Sequence, residues 1–204
     1  MFYTNRIILT KQILIVLMCV ISSMLIVSLF GVSCQSGSQS ESSRIEWLAD
    51  GVINNGEYSS TASYANGKYD LYWTSDEKYI YMGVRAVTEG FVAIGFSTSG
   101  MLGADAIFGF VKNDKAFVYD IHIDDYSAPH VEDADIGGTN DLVEFGAKEA
   151  DGYTTIEFKR ALDTGDEYDN VILKGEDNSI VWSYGKEDNM SDIHYQRGYG
   201  KIQP

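Results

Sequence analysis

Short runs of aromatic and β-branched residues follow one another along the chain from Asp50 onward, separated by Gly, Asn and Asp. Apolar and polar residues alternate within several of these runs, as in the IEFK stretch at 156–159. Such alternation is typical of a strand with one face in a core, and the intervening residues are typical of turns. We therefore predict strands at 69–74, 79–87, 91–97, 104–111, 116–123, 142–148, 153–160 and 179–185.

No part of this region sustains a helical repeat of apolar positions. Many short strands joined by tight turns are typical of an antiparallel sandwich, in which the inner faces of two sheets form the core. The sequence therefore predicts an all-β, antiparallel, immunoglobulin-like β-sandwich over residues 47–204. The chain has 204 residues, 45% hydrophobic and 13% aromatic, and this composition supports one globular domain with a sizeable core.

An apolar run at 13–32 precedes the domain and carries no charge. It is long enough to cross a bilayer, and Arg6 and Lys11 before it favour a cytoplasmic N-terminus. The run ends in GVSC, a small residue before Cys34, which resembles a bacterial-type lipobox with glycine where leucine is usual. Two interpretations stay open for residues 1–34: a lipoprotein-type signal peptide with lipidation at Cys34, or an uncleaved membrane anchor.

Small polar residues dominate 35–46, and we predict a flexible linker there. Both interpretations of the N-terminus place the domain at the cell membrane, on its extracytoplasmic side. The two cysteines, Cys19 and Cys34, belong to the N-terminal segment. The domain therefore cannot form an internal disulfide, a Cys-based zinc or iron–sulfur site, or a covalent c-type haem attachment.

Negative charge is concentrated in the exported part of the chain. All 30 acidic residues but only 13 of the 15 basic ones follow Cys34, which leaves a net charge of −17 there. This balance argues against nucleic acid as a partner. Two uses of the charge stay open: solubility, and electrostatic attraction to a basic partner protein.

Hydrolase and metal motifs are weak in this sequence. The stretch GFSTSGMLG does not form a G-x-S-x-G elbow before a helix, so Ser97 and Ser99 are interpreted as turn residues. The segment at 120–135 contains His122, His130 and several carboxylates, which could hold a divalent cation through oxygen ligands. Its spacing matches no metal motif, so we interpret it as an acidic solvated loop and keep a cation site as the alternative.

Four blocks of sequence, in this order, resemble a DOMON domain: DGVINNGEY (50–58), GFVAIGFSTSGMLGAD (90–105), GYTTIEFKRALDTGD (152–166) and IVWSYG to DIHYQRG (180–198). This module occurs in dopamine β-monooxygenase-like proteins and in the cytochrome domain of cellobiose dehydrogenase. The resemblance covers nearly all of the predicted domain and implies the sandwich fold. It leaves the ligand open, because the family includes haem b cytochromes and also members that bind sugars or metal without haem.

Haem-binding members of this family use one methionine and one histidine as axial ligands, and the matching positions are Met101 and His194. A thioether and an imidazole suit low-spin iron, and filling both axial positions leaves none for oxygen, which favours electron transfer. Gly100 and Gly103 would let the backbone approach a flat macrocycle. Arg197 would pair with a haem propionate or is an ordinary surface arginine. Taken singly, Met101 is better interpreted as an apolar plug in a glycine turn and His194 as a surface histidine. Their joint occurrence in two blocks that resemble the family reverses this preference.

Other side chains near these motifs have alternative explanations. Phe91, Phe96 and Tyr195 either wall a haem pocket or belong to the sandwich core. Met82 lies in an apolar strand, where a core side chain is expected, and Met190 follows a polar loop without a glycine pair. Met101 and His194 are therefore the preferred ligand pair.

Three functions of different classes remain. The first is a membrane-tethered, extracytoplasmic domain that binds haem b non-covalently and exchanges single electrons with a redox partner protein. The second is a haem-free module that binds carbohydrate or another small ligand, and the third is a structural cell-surface domain. The sequence shows neither a nucleophile–base pair nor a vacant metal site, so it does not favour independent catalytic activity.

Overall fold

The computed structural model describes residues 46–97, 100–127 and 129–204. The predicted signal peptide or anchor at 1–34 lies outside these ranges, as does the predicted linker at 35–46 except for its last residue. In the described part of the chain, no helix is both long enough and apolar enough to cross a membrane.

Eleven strands and one single-turn helix are present among the described residues. They are β1 (Ser60–Tyr64), β2 (Tyr69–Ser75), β3 (Tyr79–Ala86), β4 (Val92–Phe96), β5 (Ala104–Lys112), β6 (Lys115–Ile123), β7 (Val131–Glu132), α1 (Asp133–Ile136), β8 (Leu142–Ala150), β9 (Tyr153–Ala161), β10 (Asn178–Tyr184) and β11 (Gln196–Ile202). The eight predicted strands are all confirmed, with ends shifted by at most two residues. The sequence pattern missed β1, β7 and β11.

The strands form two antiparallel sheets, which confirms the predicted all-β sandwich. The order is β1-β2-β3-β9-β8 in the five-stranded sheet and β11-β10-β4-β5-β6-β7 in the six-stranded sheet. Local sequence determines the tight turns: Asn113 and Asp114 connect β5 to β6 with φ of 52° and 58°. Positive φ at both central residues is the requirement of a two-residue hairpin turn, and Asn and Asp tolerate it well.

The main core lies between the inner faces of the two sheets. Its central side chains are fully buried and come from both sheets: Leu71, Ile80, Met82, Val84, Ile94, Ile107, Ile156, Phe158 and Ile180. Full burial of each large apolar side chain contributes about 1.5–3 kcal/mol. The core position predicted for Met82 is confirmed.

Residues 50–58, at the start of the domain, close over the outer face of the five-stranded sheet. The Glu157 carboxylate accepts backbone N–H bonds from Asp50 at 3.1 Å, Gly51 at 2.7 Å and Val52 at 3.1 Å. The Tyr58 hydroxyl donates to the same carboxylate at 2.6 Å. Alternation on β9 makes Glu157 a solvent-facing position, but these donors bury it completely.

The middle of the six-stranded sheet is buried on both faces. Every residue of β4 is buried, and so is every residue of β5 except its last. A second set of buried apolar side chains, called here the outer cluster, therefore lies on the face that points away from the main core. Its members are Phe91, Ala93, Ala104, Ala106, Phe108, Phe110, Ile121 and Ile123.

Candidate functional site

A narrow cleft opens above the outer cluster, on the outer face of the six-stranded sheet. It encloses about 800 Å³ of atom-free space, counted out to its open mouth. Cofactor sites are typically mostly apolar clefts with a few polar groups. This cleft has that character, because the sheet supplies an apolar floor and the connecting loops supply polar side chains.

Small residues form the middle of the floor. Ala93 and Gly95 on β4 and Ala106 on β5 line the cleft side by side. A Cβ atom on Gly95 would lie 2.7 Å from Cγ2 of Val181 and 3.2 Å from Cβ of Ala106. The Val181 side chain occupies the space next to Gly95, so this position accepts no larger residue.

Aromatic rings form one wall of the cleft. Phe91 and Phe108 both line it and stack on each other, with ring centroids 4.4 Å apart. Of the other two aromatic candidates, Phe96 is buried in the main core and Tyr195 is 59% exposed, outside the cleft lining. Of the three aromatic candidates, only Phe91 therefore has a position suited to contact a ligand in the cleft.

The predicted residues Met101, His194 and Arg197 all line this cleft. Met101 and His194 are half-buried, and Arg197 is exposed at the start of β11. The structure thus brings together three side chains that are far apart in sequence. Their chemical roles stay predictions.

Glycine conformation shapes the turn that carries Met101. Gly100 and Gly103 have φ of 120° and 72°, which side-chain-bearing residues rarely adopt. Gly100 N–H donates to the Ser97 hydroxyl at 3.1 Å, and that hydroxyl also bonds to the Gly100 carbonyl. These bonds agree with the prediction that Ser97 is a turn residue, whereas Ser99 lies outside the described residues. The turn directs the thioether to the cleft.

Met101 and His194 enter the cleft from opposite ends of the sheet. The connection that carries Met101 leaves β4 after Phe96, and the one that carries His194 leaves β10 after Tyr184. In the pairing of β4 with β10, Phe96 lies opposite Ile180 and Tyr184 lies opposite Val92, so the two exits are at opposite ends. Both side chains therefore reach the cleft, one from each end of β4.

His130 is a third donor in the cleft that sequence reasoning did not assign to it. Its ring is half-buried and lines the cleft together with Met101 and His194. Burial lowers the pKa of His130, the His194 ring lowers it further, and Asp124 raises it. A neutral imidazole is the form that binds metal. The loop residues before it, 124–127 and 129, are exposed, as expected for an acidic solvated loop, whereas His130 itself is half-buried.

The remaining carboxylates of the acidic segment 120–135 include two buried groups. Asp120 and Asp133 are at most 1% exposed, which corrects the prediction of a solvated loop there. Asp120 faces inward because it lies opposite Ile107 on β5, whose side chain belongs to the main core. The ring of His122 has a polar partner, since its Nδ1 lies 3.0 Å from the Tyr168 carbonyl oxygen.

Asp120 belongs to a buried charge cluster centred on Arg160. The Arg160 guanidinium contacts Asp105 at 2.7 Å and Asp169 at 3.1 Å, and oxygen atoms of Asp105, Asp120 and Asp169 lie within 4.8 Å of one another. Burial raises the pKa of Asp120 to about 8 and that of Asp169 to about 7. Arg160 supplies the cation that these carboxylates surround.

The fold and the cleft define a β-sandwich domain whose candidate site lies on the outer face of one sheet. The chain belongs to the DOMON domain family, whose family model matches residues 65–185. This confirms the resemblance found in the sequence. Met101 lies inside the matched range, whereas His194 and Arg197 follow its last residue.

Two curated relatives illustrate the family match. The chain is 30% identical over 129 residues to MOXD1 homolog 1 of Drosophila melanogaster, covering 60% of this chain and 18% of that protein. It is 28% identical over 123 residues to DBH-like monooxygenase protein 1 of Mus musculus, covering 60% of this chain and 19% of that protein. The chain thus spans less than a fifth of the length of either relative.

Two solved structures are similar in fold. One is the cytochrome b domain of pyranose dehydrogenase from Coprinopsis cinerea, with a TM-score of 0.48 and 11% identity over 66% of this chain and 74% of that chain. The other is the cytochrome domain of Myriococcum thermophilum cellobiose dehydrogenase, with a TM-score of 0.45 and 10% identity over the same shares.

Proposed function

We propose that this chain is a membrane-tethered, extracytoplasmic domain that binds haem b non-covalently and passes single electrons to and from a redox partner protein. The observation that carries the proposal is the convergence of Met101 and His194, from opposite ends of one sheet, on a narrow apolar cleft. A thioether and an imidazole are a suitable donor pair for low-spin haem iron.

Met101, His194 and Arg197 each have a role in this proposal. Met101 and His194 would hold the iron from its two faces, and the exposed Arg197 guanidinium would pair with a propionate at the mouth. Haem held in this way supplies one-electron transfer between ferric and ferrous iron. The apolar floor excludes water from the buried part of the ligand, and burial is one of the factors that set the potential.

The test is mutation of the two ligands in the full chain, produced in haem-replete cells. We expect His194→Ala to abolish or greatly weaken haem binding, because imidazole is the stronger ligand. Met101→Ala should retain haem with a lower reduction potential, since thioether ligation favours ferrous iron. Absorption spectra and redox titration measure both effects.

Met190→Ala is a matched control for the methionine variant. Met190 also packs against the outer cluster, but it does not line the cleft, so its removal should leave the spectrum and potential unchanged. A wild-type protein without a Soret band contradicts the haem proposal. Retention of the parent spectrum and potential in both ligand variants contradicts this choice of ligands.

Exposed tyrosines at the mouth favour a second candidate function, binding of carbohydrate without haem. Tyr126 and Tyr199 line the cleft and are 68% and 64% exposed. Exposed aromatic faces are suited to stack on the apolar faces of sugar rings. This candidate predicts a colourless protein that binds oligosaccharide in calorimetry, with the affinity reduced in Tyr199→Ala.

A further inference from the structure

We propose that His130 is an alternative axial ligand, which binds the iron opposite His194 when Met101 does not. This inference rests on the proposed haem function and adds a second ligand set to the same site. It is carried by the position of His130 in the fold and by the surroundings of its ring.

Strand topology places His130 on the Met101 side of the cleft. The connection that contains His130 leaves β6 after Ile123, and Ile123 pairs with Ala104, the residue at which the Met101 connection enters β5. Gly103 N–H also donates to the Ile123 carbonyl at 2.7 Å, so the two connections adjoin each other. His194 comes from the opposite end. His130 and Met101 therefore approach the same face of a haem held by His194.

The His130 ring is available for a ligand. It is half-buried in the cleft wall and makes no hydrogen bond to any residue that the structure describes. His122, one strand position before Ile123, differs because its Nδ1 lies 3.0 Å from the Tyr168 carbonyl oxygen. Asp124, Asp125 and Tyr126, between β6 and His130, are exposed.

The proposed exchange is a ligand substitution without electron transfer. A ring nitrogen of His130 would hold the iron in place of the Met101 sulfur, which would leave the iron in the same exchange. Imidazole is the harder ligand of the two and favours ferric iron relative to a thioether. Methionine–histidine and bis-histidine ligation therefore give one domain two reduction potentials, of which the bis-histidine potential is lower.

Absorption and electron paramagnetic resonance spectra of the full chain loaded with haem b test this inference. We expect Met101→Ala to keep a six-coordinate, low-spin spectrum, because His130 replaces the thioether. The double variant Met101→Ala/His130→Ala should lose that spectrum and become high-spin.

The matched control is Met101→Ala/His122→Ala, which removes a histidine of the same region that lies outside the cleft and should remain low-spin. Added imidazole should restore the low-spin spectrum of Met101→Ala/His130→Ala, which shows that the variant is folded and still holds haem on His194. A high-spin spectrum in Met101→Ala alone overturns the role of His130 and leaves the haem proposal intact. Failure of the wild-type chain to bind haem overturns both.

Discussion

Four buried side chains form a cluster with more negative than positive groups. One guanidinium, from Arg160, faces the three carboxylates of Asp105, Asp120 and Asp169, and all four side chains are at most 2% exposed. Full ionisation of this group would leave excess negative charge in a low-dielectric environment, which is costly. The raised pKa of Asp120, about 8, follows first from burial and also from repulsion by Asp169 and Asp105.

The raised pKa of Asp120 predicts that the stability of the domain depends on pH. The folded pKa of Asp120, about 8, exceeds its ordinary value of 3.8, so the folded state binds more protons between these values. Its contribution to the free energy of unfolding is therefore complete below about pH 4 and is lost as the pH rises to about 8. We expect Asp120→Asn to be more stable than the parent at pH 8 and similar at pH 4, measured by urea denaturation.

Asp166→Asn is a control, because the stability that Asp166 contributes changes with pH in the opposite direction. Backbone N–H bonds, the first from Tyr168 at 2.9 Å, lower the pKa of Asp166 below 3.8. Its stabilisation is present above about pH 4 and is lost as the pH falls further. Equal stability of the parent and Asp120→Asn at pH 8 would contradict the assignment of this pH dependence to Asp120.

At the scale of elements, β4 and β5 combine two roles. Their inner side chains, such as Ile94 and Ile107, belong to the main core, while Ala93 and Ala106 form the cleft floor. The cleft floor is therefore the outer face of the same strands that form the core.

Ala106→Leu is expected to fill the cleft and remove haem binding while the sandwich stays folded. The extra atoms occupy space needed by a planar ligand, and overpacking costs about 1–3 kcal/mol. Haem titration monitored by absorption measures binding, and urea denaturation measures stability. Ala116→Leu on β6, at an exposed position, is the control that should bind haem normally. Normal haem uptake by Ala106→Leu would exclude this cleft as the binding site.

The sequence pattern predicted some strands of the domain and missed others. Alternation and turn residues identified eight strands. In contrast, β1 is rich in Ser and Thr and β11 contains Gly and charged residues, so both take their strand character from pairing. Gly198 in β11, for example, lies against the Trp182 ring, where a Cβ would collide with the indole. No local sequence pattern reports such a contact.

Prediction of the site was limited for a similar reason. Met101 and His194 were found because they lie in sequence blocks that resemble a family. His130 lies in no such block. Glu157 lies in one, but its burial depends on donors such as Gly51, which is distant in the chain. The sequence around a polar residue does not show which distant segment of the chain will bury it.

At the scale of the whole molecule, the acidic surface and the N-terminal segment define the expected setting. The net charge of −17 after Cys34 favours a basic redox partner, and electrostatic attraction of this kind weakens with ionic strength. The apolar run before Cys34 supports attachment to the membrane. Both remain proposals, since they concern residues or partners beyond the described domain.

Cys34→Ala separates the two proposed modes of attachment. Lipidation at Cys34 predicts that the variant is misprocessed or released from the membrane, because the modified residue is lost. An uncleaved anchor predicts unchanged size and unchanged membrane retention, because the apolar run itself spans the bilayer. Membrane fractionation and electrophoresis of the full chain distinguish these outcomes, with Cys19→Ala as the control.

The cleft floor has a consequence for the maturation of the domain. Because β4 and β5 present one face to the core and the other to the cleft, the receiving surface takes shape only when the two sheets close on each other. Under the proposed function, haem insertion would therefore follow the closure of the two sheets. The supply of haem, and not the rate of synthesis of the chain, would then determine the fraction of molecules that carry the cofactor.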